Sequence, residues 1–294
     1  MKKMKQMIFK QWQAPGDLLM LSVAIRDLHN QYPGTFETDV FSCYPEIFFN
    51  NPYLTYFPKN NGYLTYDLKY AEARDYLAPE GCHFSDAFIY LLNNMFGLSI
   101  IKSSMRPDIH LTPDEKSEFI LERLEIKKPY WIINSGIKQD IPIKGYPPAM
   151  WEMVIRDLVS AGLNLYQVGS KNHLHPIHKS IRSLIGQTEN LRDFFSLVYH
   201  SAGSIGHVSM HMHVAAAFNK PCVVVAGGRE DNTWEAYPDH SYLHTIGELD
   251  CCKHGGCWVS TAQDCVNRCD RSPYAQCLAM ISPDKIVNEV LKWC

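Results

Sequence analysis

Apolar positions along this chain fall into two kinds of segment that alternate. Short runs with little internal alternation predict strands at Met7–Phe9, Phe36–Phe41, Leu64–Leu68, Tyr130–Ile133, Leu163–Val168, Ser204–Gly206 and Cys222–Ala226. Between them, apolar residues recur at helical spacing. Leu18, Leu21, Ala24, Ile25 and Leu28 mark a first helix that Tyr32-Pro33-Gly34 stops. Ala87–Phe96 reads as a helix ended by Gly97. Thr112-Pro113-Asp114-Glu115 has the form of a capping box and predicts a helix running to Leu124. Pro148 opens a helix with Trp151, Val154, Ile155, Leu158 and Val159 on one face, closed at Gly162. Further helices are predicted over Leu191–His200, over His211–Phe218 up to Asn219, and after Ser282-Pro283-Asp284.

Strands that are apolar without alternation are buried on both faces, and strands that alternate with helices pair in parallel. The pattern therefore predicts an α/β protein with two parallel-sheet, Rossmann-like domains, over residues 1–127 and 128–294. In such sheets ligands sit beyond the carboxyl ends of the strands. The loops that follow strands, and the cleft between two domains, are thus the expected places for function.

Composition narrows this. With 46% hydrophobic and 20% charged residues the chain is globular in type. A formal net charge of −3 disfavours a dedicated nucleic-acid binder, which is usually basic. No apolar run approaches the roughly 18 residues of a membrane span, and the basic start MKKMKQMIFK lacks the apolar stretch of a signal peptide. The expectation is a cytoplasmic protein.

Several loops carry candidate chemistry. Pro15-Gly16-Asp17 lies at a strand-to-helix turn, where Asp17 reads either as an N-cap or as a general base. Asn134-Ser135-Gly136 follows a strand and can offer backbone N–H groups to phosphate, with Lys144 as a nearby cation or an ordinary solvated lysine. Gly186-Gln187-Thr188 is a turn before a helix. In the stretch from His207 to His213, His211 and His213 are two residues apart and so occupy different helix faces, which suits a metal poorly. A histidine beside a diphosphate at a helix N-terminus fits better.

Six of the ten cysteines, Cys251, Cys252, Cys257, Cys265, Cys269 and Cys277, lie in one short segment. In a reducing compartment such clustering points to metal more than to disulfides, although the spacing is not a standard paired-CxxC zinc pattern. Four of the six would close a tetrahedral structural site for zinc or iron, with His254 the one nearby histidine able to replace a thiolate.

Taken in order, PGDLLMLSVAIRDLHNQYPGTF (15–36), TDV (38–40), NPYLT (51–55), NSG (134–136), KGYP (144–147) with Trp151, GQTENLRD (186–193) and HVSMHMHVAAAFNKPCVVVAGG (207–228) resemble the ADP-heptose:lipopolysaccharide heptosyltransferases of glycosyltransferase family nine. That resemblance implies a GT-B fold of two facing Rossmann-like domains, a nucleotide-sugar donor in the C-terminal half and an acceptor in the N-terminal half. It further implies inverting sugar transfer with no metal required for the chemistry. Residue by residue, it makes Asp17, after Gly16, the base. It puts Gly16, Ser135, Gly136, Lys144, Gly186, Thr188, Ser209 and His213 around the donor. Val208 and Met210 depart from it, standing where the family usually has an aspartate that touches the donor sugar and a glycine. Some family members carry a cysteine-bound iron in a comparable C-terminal insertion.

The expected activity is transfer of a sugar from a nucleotide-diphosphate sugar, ADP-heptose or similar, to a hydroxyl of a glycan, a protein or a modified nucleic acid. The alternatives are a nucleotide-sugar epimerase or hydrolase on the same scaffold, and a nucleotide-sugar-binding protein without turnover.

Overall fold

The computed structural model of the chain describes residues 4–58, 62–139, 141–259, 264–266 and 274–294. It separates into two compact units, Met1–Pro113 and Asp114–Cys294.

In the first unit, strands β1 (Lys5–Gln11), β2 (Phe36–Ser42) and β3 (Leu64–Asp67) form a parallel sheet in the order β2-β1-β3. Helix α1 (Pro15–Gln31) crosses from β1 to β2, and α2 (Tyr70–Leu77) and α3 (Ser85–Phe96) follow β3. α1 is apolar on more than the single face that spacing predicts, being buried almost continuously from Leu18 to Leu28. The chain around residues 103–108 covers its outer side. Buried Asp27 there accepts from Ser103 N (2.9 Å) and Ser103 Oγ (2.6 Å), and Asp108 N donates to Ser22 Oγ (2.8 Å). A charge buried this deeply is tolerated because hydrogen bonds saturate it, including one from Arg26 Nε at 3.0 Å.

The second unit begins with α4 (Phe119–Arg123). It continues through β4 (Trp131–Asn134), α5 (Pro148–Ser160), β5 (Leu165–Gln167), β6 (Arg182–Ser183), α6 (Leu191–His200), β7 (Gly203–His207) and α7 (Met210–Ala217). After these come β8 (Cys222–Gly227), α8 (Asn232–Glu235), β9 (His240–His244), α9 (Gln276–Ala279) and α10 (Pro283–Leu291). All six strands pair in parallel, in the order β6-β5-β4-β7-β8-β9. Counted within the unit this is the order 3-2-1-4-5-6 of dinucleotide-binding sheets. β7 and β8 are buried along their whole length, as unalternating apolar strands should be. Trp151, Val154, Ile155 and Leu158 on α5 meet Ile286 and Val290 on α10 over this sheet.

The predicted helix from Thr112 to Leu124 shrinks to Phe119–Arg123. The Glu115 carboxylate takes Nε and Nη2 of Arg192 on α6, at 2.7 and 2.6 Å. This bidentate Arg–carboxylate pair ties residues 114–127 to the second unit. The units accordingly divide fourteen residues before the division at 127/128 expected from sequence. No helix among the described residues is long and apolar enough to cross a membrane.

Trp151 is fully buried in the core of the second unit. Trp151→Ala is expected to lower stability by about 3–5 kcal/mol, read as a lower urea midpoint.

Candidate functional site

The sheet of the second unit is extended outward from β4 on one side and from β7 on the other, so loops leaving these neighbours diverge and open a crevice at their carboxyl ends. After β4 comes Asn134-Ser135-Gly136, and after β7 comes Val208-Ser209, which leads into α7. Asn134 Nδ2 donates to Ser209 Oγ across the gap at 2.9 Å. Ser209 is the N-cap of α7, with extended backbone (φ −167°), yet its hydroxyl caps no amide of the helix. A helix start of this kind offers N–H groups and a positive dipole end to an anion.

Three buried polar atoms around this crevice have no hydrogen-bond partner: Asn134 Oδ1, His175 Nδ1 and His207 Nδ1. They come from the ends of β4, β7 and the loop after β5. An orphaned buried polar atom costs about 1–3 kcal/mol, so three together mark a place built for something polar. The His175 ring is seated against Gly136 and Gly169, where an added Cβ would lie 2.1 and 2.3 Å from its Cε1. Its Nε2 donates to Ser170 O at 2.7 Å, which leaves Nδ1 as an acceptor in the neutral ring.

His207 is 5% exposed, and its pKa is pushed down to about 3. Burial is the largest cause, followed by electrostatic repulsion between its protonated form and those of His211, Lys144, His173 and His175. His211 is lowered to about 4, again chiefly by burial. Both its nitrogens are committed, Nε2 to His207 O (2.9 Å) and Nδ1 to Ser204 Oγ (3.2 Å), so it serves the frame of the site.

The residues singled out from sequence divide into groups. Lys144, on a short turn over Pro142–Lys144, is not a solvated lysine. Its side chain is 22% exposed and its Nζ lies 2.5 Å from Oε1 of Glu230, itself 1% exposed. Ser135 is buried, and its hydroxyl sits 2.9 Å from His178 Nε2 while Gln167 Nε2 donates to it at 3.1 Å. His178 Nδ1 in turn faces Glu152. Ser209 lies in the crevice, as described. His213, one turn into α7, has its Nδ1 2.8 Å from the Tyr237 hydroxyl and its Nε2 3.9 Å from Glu235. Gly186 and Thr188 follow β6, two strands from β4. Gly186 takes the left-handed conformation (φ +74°) of a turn in which Gln187 N donates to Leu184 O at 3.0 Å. Gly16 and Asp17 belong to the first unit. Asp17 falls in the first turn of α1, three residues beyond the N-cap, which is Ala14.

Asn134, His175, Arg229 and Glu230 were not singled out from sequence as site residues. Only Asn134, inside the quoted NSG, carried any signal.

In the cysteine segment, Cys252 Sγ is buried and donates to Thr245 O (3.4 Å). Cys251, Cys257, Cys265 and Cys277 line one cavity of about 20 Å³, which Lys144 and Arg229 also border. Burial pushes the Cys277 thiol up to about 12 and raises Cys257 as well, with neighbouring thiols adding to both. Among the described residues no three donors already converge closely enough to hold an ion. His254 lies at the surface of this segment. Cys269 lies outside the described residues.

Sheet order and crevice together define a parallel α/β protein whose second unit has the topology of a nucleotide-binding domain. The family model for glycosyltransferase family 9 (heptosyltransferase) matches residues 69–254, and the chain belongs to that family and is a glycosyltransferase. Among solved structures, Escherichia coli ADP-heptose lps heptosyltransferase II is similar at 18% identity and TM-score 0.63, over 99% of this chain and 98% of that one. The iron-containing dodecameric glycosyltransferase TibC from enterotoxigenic E. coli H10407 is similar at 16% identity and TM-score 0.69, over 99% of this chain and 76% of that one. A second TibC structure, in complex with ADP-D-beta-D-heptose, aligns at 15% identity and TM-score 0.66, over 99% and 76%. At these identities the likeness establishes the α/β, GT-B-like fold. No curated protein matches the chain by sequence.

The buried histidines set a pH dependence. The unfolded chain takes up protons at His207 and His211 near pH 6.5, whereas the folded chain refuses them until about 3 and about 4. Their neutral burial therefore contributes fully above pH 6.5, and the contribution is lost as pH falls toward those values. Unfolding free energy from urea titrations at about pH 7 and about pH 5 is expected to drop between the two, and His207→Asn should flatten the drop.

Proposed function

We propose that this family 9 glycosyltransferase takes its sugar from a nucleotide-diphosphate donor bound at the crevice of the second unit. The observation that carries this reading is the meeting of three orphaned polar atoms with the start of α7 around the carboxyl ends of β4 and β7. A diphosphate supplies acceptors for the N–H groups of α7 and negative charge for Lys144, which the family motif assigns to it, while Asn134 Oδ1 and His175 Nδ1, both acceptors, suit hydroxyl groups of the same donor. The TibC complex with ADP-D-beta-D-heptose supports a donor of this chemical type.

Transfer breaks the bond between the anomeric carbon and the diphosphate oxygen while an acceptor hydroxyl attacks that carbon from the opposite face, with inversion. Charge builds on the leaving diphosphate, and fixed donors in a water-poor site stabilise it without reorganising. Lys144 and the α7 amides take that role, with Ser135, Gly136, Gly186, Thr188 and His213 assigned to the donor on the strength of the family motif. The attacking hydroxyl must give up a proton, and Asp17 is the base. It lies beyond the capping position, in the first turn of α1. Val208 is buried and apolar where the family usually has an aspartate, so it accepts no hydrogen bond from the donor sugar. The phosphate end of the site is thus kept and its sugar-reading end altered.

We also propose that the cysteine segment holds one structural zinc or iron. Four thiols lining one cavity fit the donor set of a tetrahedral site. Cys251, Cys257, Cys265 and Cys277 would hold the ion once drawn together. A closed four-thiolate shell supplies folding constraint and no step of the transfer.

Two measurements test these readings. Incubated with ADP-, UDP- and GDP-sugars and a panel of acceptors, the protein is expected to release nucleotide diphosphate, and Asp17→Asn to slow turnover about 10²–10⁴-fold with donor affinity unchanged. Binding without release in any combination would reduce the protein to a nucleotide-sugar binder. Elemental analysis of protein purified without chelator should find about one zinc or iron per chain, lost in Cys257→Ser together with thermal stability. Metal-free protein of full stability would return the cysteines to ordinary thiols.

A further inference from the structure

The cysteine segment and the phosphate-side lysine are joined by a continuous line of contacts. Residues 256–259 run alongside 228–231. Cys257 N donates to Gly228 O and Trp258 N to Arg229 O, both at 3.1 Å. The approach is close enough that a Cβ at Gly256 would lie 2.5 Å from Arg229 O and 2.7 Å from Asp231 N. Trp258 takes a left-handed backbone conformation (φ +55°), uncommon for a bulky residue. In it the indole lies over the Arg229 guanidinium at 4.4 Å.

Arg229 then divides its donors. Nε donates to Val259 O at 2.6 Å, inside the cysteine segment, and Nη1 reaches Glu230 Oε1. The same carboxylate oxygen receives Lys144 Nζ. Lys144 and Arg229 both border the cavity of the four thiols, and Lys144 is the lysine that the family motif assigns to the donor phosphates. Two cations share one buried carboxylate, so the trio carries a net charge of +1 that a bound phosphate neutralises. An ammonium has three donors, and pairing with Glu230 fixes its position without using it up.

We propose that Glu230 and Arg229 are positioning residues for the donor. Glu230 holds the Lys144 ammonium at the crevice. Arg229, clamped by Trp258 and Val259, makes that placement depend on the order of the cysteine segment. Affinity for the donor diphosphate thereby becomes sensitive to the state of the thiols, through side chains that contact no substrate. This inference rests on the donor-site reading above.

The test uses the full chain and two readouts. One needs no ligand: the rate at which an acetylating reagent modifies Lys144, followed by mass spectrometry. The other is affinity for ADP, UDP and GDP by calorimetry. Glu230→Gln cuts the line at its centre. Trp258→Gly cuts it at its origin while suiting the left-handed backbone, so the local fold is spared. Both are expected to speed acetylation of Lys144 several-fold and to weaken binding of the preferred diphosphate by about tenfold, the scale of one charge-assisted hydrogen bond. In a Lys144→Met background neither should weaken binding further. Unchanged Lys144 acetylation in both variants would overturn the proposal, and so would losses that simply add in the Lys144→Met background. If the wild type binds none of the three nucleotides at millimolar concentration while acetylation still responds, the coupling stands and the donor-site reading falls.

Discussion

A parallel sheet covered on both faces leaves its strands only their ends at which to be polar. The second unit depends on this constraint. β7 and β8 are buried throughout, and β4 is buried from Trp131 to Ile133. Polar groups consequently collect where strands stop, and because all six run the same way they collect along one edge. The outward growth of the sheet from β4 and β7 then spreads two of those loops apart. Asn134, Ser209, His175 and His207 meet there without any one segment being rich in polar residues.

The unpaired atoms in this cluster have a cost in the free protein. His207 shows how it is kept small. Burial and surrounding positive charge hold its ring neutral, so the site contains an unsatisfied nitrogen but not a stranded cation. Lys144 shows the other solution. Its ammonium is paired with a buried carboxylate, which Arg229 shares.

Much of the fold was legible in the sequence where local chemistry decides it. The helix after Ser282-Pro283-Asp284 forms as expected because its cap, its first-turn proline and its apolar spacing lie within a few residues of each other, and Ser282 accepts from Lys285 N. Leu191–His200 likewise matches, with Asn190 as cap. What failed was decided at a distance. Glu115 pairs with Arg192, 77 residues along the chain, and the helix forms only over Phe119–Arg123. β9, with the sequence HSYLH, gives no apolar run and exists because β8 offers it an edge. The candidate site divides in the same way. Ordered motifs located the loops after β4 and β7, and Lys144 with them. The partner that fixes Lys144 could not be read, since Glu230 lies on a loop after a different strand and looks like any surface glutamate until its burial is known. His175 was hidden for the same reason: its place is defined by two glycines, one of them 39 residues before it.

That seating of His175 has a consequence for how this site can vary. The ring occupies the volume that side chains at positions 136 and 169 would need. Any residue larger than glycine at either place expels the imidazole, and a smaller side chain at 175 leaves a hollow beside the crevice. The three positions therefore form one unit of inheritance. In related chains they should change together or not at all, and a lineage that loses the histidine frees both glycines to drift.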